Sequence, residues 1–218
     1  MSLAVPVKRL SCPACQRPQS SCICQWITPT AHQVEVVLLQ HPLEVKQAKG
    51  SARLLHLSLP RSVLVVGEVF TEKSLQALIS APLDLGMSED LPRHTVLLYP
   101  DSPQCAVSGA PPSPALASGC WPDPSRLRLM VLDGTWRKSR KMLHLNPLLR
   151  QLPRLALRSG PASRYRIRKA HQPDQLSTLE ATCAALAHLE GEAGLYAPLL
   201  VAFDGFVAQQ QSYRGYRA

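Results

Sequence analysis

Leu127-Arg-Leu-Met-Val-Leu-Asp133-Gly134-Thr135-Trp136-Arg137-Lys138-Ser139-Arg140-Lys141 decides the fold. Its apolar half is too short for a helix and too uniformly apolar for a surface strand, so it predicts a strand buried on both faces. The run stops at an Asp, a Gly, a Thr and a Trp, and four basic residues follow within five positions. Open α/β sheets hold ligands beyond the carboxyl ends of their strands. A carboxylate and an indole delivered to that edge, with cations directly behind, predict a site whose ligand carries negative charge. A plainer reading stands beside it: Asp133 caps the next helix and Trp136 anchors the core.

Working outward, the segments to either side alternate between β and α. Residues 34–40 (VEVVLLQ), 62–70 (SVLVVGEVF), 95–99 (TVLLY), 127–132 and 152–157 read as strands. Residues 43–57, 75–79, 135–144, 177–190 and 197–211 read as helices. Continuous apolar strands separated by helices predict a mostly parallel sheet with helices on its faces. Ser177-Thr-Leu-Glu180 has the form of a capping box and marks a helix start. Residues 101–125 contain six prolines and read as a long loop or lid inside the α/β region.

The net charge of +9 is unevenly spread. Residues 126–169 hold 13 Lys and Arg against the single acid Asp133, whereas the remainder of the chain is net acidic. Ordinary solvated faces interleave both signs. A one-signed region of this size fits a phosphate-binding surface for nucleic acid. No apolar run reaches the length of a membrane span, and the N-terminus lacks the pattern of a secretory signal, so a soluble, cytoplasmic protein is expected. The chain has no Walker-A loop, no G-x-G-x-x-G and no H-E-x-x-H, which argues against ATPase, Rossmann dehydrogenase and zincin readings.

Four of the seven cysteines crowd the start as Cys12-x-x-Cys15 and Cys22-x-Cys24. Four close thiolates satisfy tetrahedral Zn2+, and a reducing compartment disfavours disulfides. A structural zinc knuckle over residues 1–30 is expected, ahead of a catalytic domain over residues 31–218. Cys183 falls on the apolar stripe of a helix and belongs to the core. Three further clusters could contribute to a cleft. One is Gln40-His41-Pro42-Leu43-Glu44 at a strand end, followed by Lys46, Lys49, Gly50, Ser51 and Arg53. Another is Tyr99-Pro100. The third is Ser163-Arg164-Tyr165-Arg166-Ile167-Arg168-Lys169 leading towards the helix that Leu176 and Ser177 precede.

Taken in order, these motifs resemble the DTW-domain family, named for an Asp-x-Thr-Trp motif. It stands here as Asp133-Gly134-Thr135-Trp136, together with the cysteine knuckle, Gln40-His41-Pro42…Glu44, the run 164–169 and Leu176-Ser177-Thr178-Leu179-Glu180-Ala181. The resemblance runs from about Cys12 to Gln210. This chain departs from the family's common Asn-Thr by carrying Gly50-Ser51. The resemblance implies a SPOUT-like α/β domain with a knotted C-terminal part. The implied activity is transfer of the 3-amino-3-carboxypropyl group of S-adenosylmethionine to N3 of a tRNA uridine, releasing 5′-methylthioadenosine.

On that reading Asp133, Thr135 and Trp136 are the catalytic candidates, Asp133 as base or orienter of the weakly acidic N3–H. Tyr99, Pro100, Leu132, Gly134, Arg168, Leu176, Ser177 and Thr178 are expected at the S-adenosylmethionine site. His41, Glu44, Arg53, Arg137, Lys138, Arg140, Lys141, Tyr165, Arg166 and Lys169 are expected at the tRNA. Cys12, Cys15, Cys22 and Cys24 are the expected zinc ligands, and a monomer is expected. A SPOUT-type RNA methyltransferase and a non-catalytic zinc-containing RNA-binding protein are the competing readings.

Overall fold

The computed structural model describes residues 10–83, 93–100, 123–157 and 176–215. Five strands form one sheet: β1 (Glu35–Gln40), β2 (Ser62–Val66), β3 (His94–Leu98), β4 (Leu127–Asp133) and β5 (Arg154–Leu155). The order is β2-β1-β4-β3-β5, and every pairing is parallel. The expected parallel α/β architecture is therefore present, with the decisive strand β4 at its centre and buried along its whole length.

Among the described residues six helices cover the sheet: α1 (Ala52–Ser58), α2 (Glu72–Ser80), α3 (Trp136–Leu145), α4 (Pro147–Gln151), α5 (Thr178–Glu190) and α6 (Ala197–Gly215). The two-residue strand period sorts them. Val36, Leu38, Leu129 and Val131 face Leu54, Leu55, Leu186, Phe203 and Phe206 from α1, α5 and α6. Val37, Leu39, Met130 and Leu132 face Leu75, Met142, Leu143 and Leu149 from α2, α3 and α4. Central strands covered on both faces must be apolar throughout, which explains the unbroken run in the sequence. Connections leave β1 and β4 towards opposite faces. The adjacent carboxyl ends of these two strands thus form the switch point of the sheet.

At the opposite edge, register is fixed by charge. Glu35 of β1 lies directly across from Arg128 of β4. The fully buried Arg128 donates from Nε to Glu35 at 2.9 Å and from its terminal nitrogens to the carbonyls of Leu78 and Ala81, at 2.7 and 2.6 Å. Arg93 approaches the other Glu35 oxygen at 3.1 Å. Such a pair contributes little against apolar residues of the same size, but breaking one half of it is costly.

The cysteine knuckle packs on the α6 side. Cys15 and Ile23 lie in the same apolar core as β1 and α6. Trp26 donates its indole N–H to Gln209 at 2.7 Å, and its ring lies so close to Gly205 that no side chain fits there.

Several boundaries differ from the sequence expectation. The helix expected over 43–57 is instead a 3-10 turn, Pro42–Glu44, then successive turns, with α1 starting only at Ala52. The reason is that the carbonyls of Ala48 and Gly50 face outward to the Arg17 guanidinium, at 2.6 and 2.9 Å, instead of closing a helical ladder. β2 stops at Val66, and Gly67 bends the chain after its amide reaches the Gln40 carbonyl at 3.0 Å. α4 was not expected; Pro147 at its first turn was the available signal. The knot expected of the C-terminal part is not seen among the described residues, and residues 158–175 are not among them. The Pro-rich residues 101–122 likewise lie outside the described residues.

Candidate active site

β4 carries Asp133 to the switch point. Asp133 is only 6% exposed. One carboxylate oxygen accepts from the Gln40 amide of β1 at 2.8 Å, and the other from the Thr178 hydroxyl at 2.7 Å. Two donors on opposite sides fix the plane of the carboxylate. Asp133 does not cap α3: Thr135 does, accepting from the Lys138 amide at 3.4 Å. The cap explanation of Asp133 is thereby replaced by a carboxylate clamped between two elements at the sheet edge.

Thr178 is the first residue of α5, whose start is built as the sequence predicts. Ser177 accepts from the Glu180 amide at 3.2 Å, and Glu180 accepts from the Ser177 amide at 2.8 Å. The Ser177 oxygen is thus engaged as a cap. Ser51 joins by accepting from the Leu179 amide at 3.4 Å. Asp133, Thr135, Lys138, Ser177 and Thr178 line a cavity of about 260 Å³ with Glu44, Gln47, Lys49, Gly50 and Ser51. The positive end of the α5 dipole faces this region, and a carboxylate or phosphate is favoured near it. Lys138 reaches Glu44 at 2.8 Å, so the basic run behind Trp136 is partly neutralised on its inner side.

The remaining expected residues separate into groups. His41 is buried and held on both sides. Its Nδ1 accepts from the Leu43 amide at 3.1 Å, which leaves the proton on Nε2 to donate to Glu68 at 2.9 Å. Glu68 also binds Lys141 at 3.0 Å, and these two contacts, His41 first, hold its carboxyl below the ordinary range. His41 therefore shapes the wall behind the cavity and does not line it. Arg53 faces the knuckle, with one nitrogen on the Ala14 carbonyl at 3.2 Å. Arg137 and Arg140 are exposed on α3. Gly134 sits where an added Cβ would lie 3.1 Å from that of Lys138 and 3.7 Å from that of His41, so a side chain there would press on the first turn of α3.

Trp136 is 41% exposed, and its ring stacks on buried Tyr99 with centroids 5.3 Å apart and planes 18° apart. Arg154 lies over Tyr99 at 5.5 Å. Pro100 is exposed beside it, Leu132 is buried beneath Asp133, and Leu176 is half-buried before Ser177. Tyr165, Arg166, Arg168 and Lys169 lie outside the described residues.

Sequence reasoning missed three contributors. Gln40 was quoted only as part of a motif, although a Gln ending a buried apolar strand needs a polar partner. Glu68 was hidden by extending β2 to Phe70. Asn146 is buried, accepting from the Phe70 amide at 2.9 Å and donating to the Glu68 carbonyl at 2.9 Å. It holds the bend that presents Glu68.

The thiols of Cys12, Cys15, Cys22 and Cys24 all lie within 4.8 Å of one another, with Cys12–Cys24 at 3.5 Å and Cys15–Cys22 at 3.7 Å. These four residues could hold a metal ion, and their separations suit four sulfurs about 2.3 Å from one Zn2+. The amides of Cys15 and Ala14 lower the Cys12 thiol to about 6, whereas burial and the neighbouring sulfurs push Cys24 up to about 12.

A family model for the DTW domain matches residues 9–211. The chain belongs to the DTW-domain family. It is 28% identical over 187 residues to tRNA-uridine aminocarboxypropyltransferase 2 of Mus musculus, covering 84% of this chain and 57% of that one. It is 31% identical over 189 residues to the Drosophila melanogaster protein of the same name, covering 85% and 68%. The Macaca fascicularis counterpart matches at 27% with 84% and 57% covered, so the chain spans little more than half the length of the two mammalian relatives. No solved structure matches. The signature residues of this DTW chain, Asp133 to Trp136, thus stand at the carboxyl edge of the central strand, beside the capped start of α5.

Proposed function

We propose that this chain is a tRNA-uridine aminocarboxypropyltransferase. It would move the 3-amino-3-carboxypropyl group of S-adenosylmethionine to N3 of a tRNA uridine. The observation that carries this reading is the Asp133 carboxylate, clamped by Gln40 and Thr178 at the switch point of a DTW-family sheet. The mouse, macaque and fly relatives bear the name of that activity.

The residues fit the donor's chemistry. Asp133 and Glu44 offer negative charge to a sulfonium and an ammonium; Lys49, Lys138 and the start of α5 offer positive charge to a carboxylate. A cavity of about 260 Å³ suits the charged chain and the reacting base more than a whole dinucleoside-sized ligand. Tyr99, Pro100 and Leu132 would then border the adenosine. In the reaction the uridine N3–H proton passes to Asp133, and the N3 lone pair forms the bond to the γ-carbon. The carbon–sulfur bond breaks with its electron pair left on sulfur, giving neutral 5′-methylthioadenosine. Orientation supplies much of the acceleration, because the leaving group is already good.

Zn2+ on the four cysteines, a SPOUT-like knot in the C-terminal part, and phosphate contacts from Arg137, Arg140, Arg166, Arg168 and Lys169 complete the proposal. Residues 1–30 would form the zinc knuckle and residues 31–218 the catalytic domain. A cytoplasmic setting keeps such thiols reduced. Among the described residues no helix is long and apolar enough to cross a membrane. A single chain supplies every residue named.

The test is incubation of the purified protein with unmodified tRNA and S-adenosylmethionine labelled in the aminocarboxypropyl group. Labelled uridine nucleoside and an equal amount of 5′-methylthioadenosine are expected. S-adenosylhomocysteine with methylated RNA would establish the methyltransferase reading instead. Tight, salt-sensitive tRNA binding without any product would establish the non-catalytic one.

A further inference from the structure

A second, larger cavity of about 510 Å³ lies next to the Asp133 cavity, between the cysteine knuckle, the loop over residues 44–50 and the ends of β1 and β2. The two share Glu44, Gln47 and Gly50 as a common wall, and Gln40, which binds Asp133, lines the larger one. The larger cavity is walled by the knuckle on one side and the sheet edge on the other. Asp133, Thr178, Tyr99 and Trp136 do not line it, and Gln40 is the one member of the Asp133 clamp that does.

Its chemistry is specific. Val45, Leu64 and Val66 supply apolar surface, Gln16, Gln40 and Gln47 supply amides, and Arg17, Lys46 and Arg53 supply positive charge. Val45 and Val66 are apolar side chains at 51% and 47% exposure on the walls of the cavity, open to contact with a bound ring. The Arg53 Nε is buried without a hydrogen-bond partner among the described residues, at the cost that attends any buried donor left unpaired. Apolar contact for a ring face, amides for a base edge and cations for a phosphate are the three requirements of a single unstacked nucleotide in RNA recognition.

We infer that the larger cavity is a subsite for the RNA nucleotide adjoining the reacting uridine. This rests on the proposed aminocarboxypropyl transfer for the identity of the uridine, and the two stand or fall by different measurements. With the reacting base beside Asp133, the neighbouring nucleotide crosses the shared wall at Glu44 and Gln47 and enters between Val66 and Arg53. The knuckle then acts in recognition. Arg17 binds the carbonyls of Ala48 and Gly50, so the four-cysteine turn holds the very loop that divides the two cavities.

The experiment uses the full chain and tRNA transcripts. Val66→Phe fills the subsite from an exposed strand end, and Val45→Trp fills it from the dividing loop. Thermal melts check folding, so that one variant carries the test if the other is unstable. The expected result is a KM for tRNA at least tenfold higher, with kcat at saturating tRNA and the Kd for S-adenosylmethionine unchanged. A transcript with 4-thiouridine beside the reacting uridine should crosslink to residues 44–66, and Val66→Phe should abolish that crosslink. An unchanged KM and an unchanged crosslink, or a parallel loss of donor affinity, would overturn the subsite. If the protein transfers nothing, the same variants are read by the Kd for tRNA: a tenfold weakening upholds the subsite and an unchanged Kd removes it.

Discussion

Asp133→Asn is the most informative single substitution. Asp133 accepts from Gln40 on one oxygen and from Thr178 on the other, whereas Asn has one acceptor and one donor group. Either Thr178 must rotate its hydroxyl or Gln40 must flip its amide to accept from the new NH2 group, and the proton acceptor is lost as well. We expect transfer to fall about 10²–10⁴-fold, the usual share of a positioned acid or base, with the melting temperature nearly unchanged. Full activity in that variant would remove Asp133 from the chemistry. Glu68 makes a pH prediction. Its carboxyl is held low by His41 and Lys141, so its folded-state value lies below its unfolded one. The stabilisation it gives is present above the unfolded value and is lost as pH falls through the folded one. Glu68→Gln should flatten the acid limb of a stability profile below about pH 4.5 and leave the neutral region little changed. An identical acid limb in wild type and variant would show that the His41–Glu68–Lys141 chain adds nothing to folding.

The start of α5 and the docking of the knuckle on α6 can each be weakened separately. Ser177→Ala removes one half of a capping box and should cost about 1 kcal/mol in chemical denaturation. It should also loosen Thr178 against Asp133, so activity should fall by more than stability alone accounts for. Gly205→Val drives a side chain into the Trp26 ring and should cost about 1–3 kcal/mol by overpacking. Retained stability would mean that the knuckle docks elsewhere. These elements also show what a reader of sequence can see. β1, β4 and the α5 cap were legible because apolar runs and capping boxes are local signals. The turns over residues 44–50 were not, because Arg17, some 30 positions away, competes for carbonyls that would otherwise close a helix. β2 read too long because Val69 and Phe70 are good strand formers, yet Asn146 captures the Phe70 amide. The site divided likewise. Asp133 was found because a charge ending a buried strand is anomalous. Glu68 and Asn146 were missed because their roles exist only after β2, α3 and α4 are assembled.

For the molecule as a whole, the exposed charge and the proposed zinc can be tested separately. Arg137 and Arg140 are exposed on one helix, whereas Lys138 and Lys141 are tied to Glu44 and Glu68. Replacing both arginines with Gln should therefore reduce the salt dependence of tRNA binding by about two charges' worth, a slope change near 0.7–0.9 per phosphate contact. If zinc sits on the four cysteines as proposed, a chelator under reducing conditions should lower the melting temperature, because Cys15 and Ile23 belong to the main core; an unchanged melting temperature would count against the zinc.

The sheet order has a consequence in time as well as in space. β1 has only the edge strand β2 beside it until β4 arrives, and the Glu35–Arg128 pair that locks their register joins residues 93 positions apart. On the ribosome, the N-terminal third must therefore wait, with one flank of its most apolar strand unpaired, until the chain beyond residue 133 has emerged. High contact order of this kind predicts slow refolding and a chain that aggregates when synthesis is interrupted between β1 and β4. The same carboxylate that marks the site is also the last residue of the strand that joins the β2-β1 pair to β3 and β5.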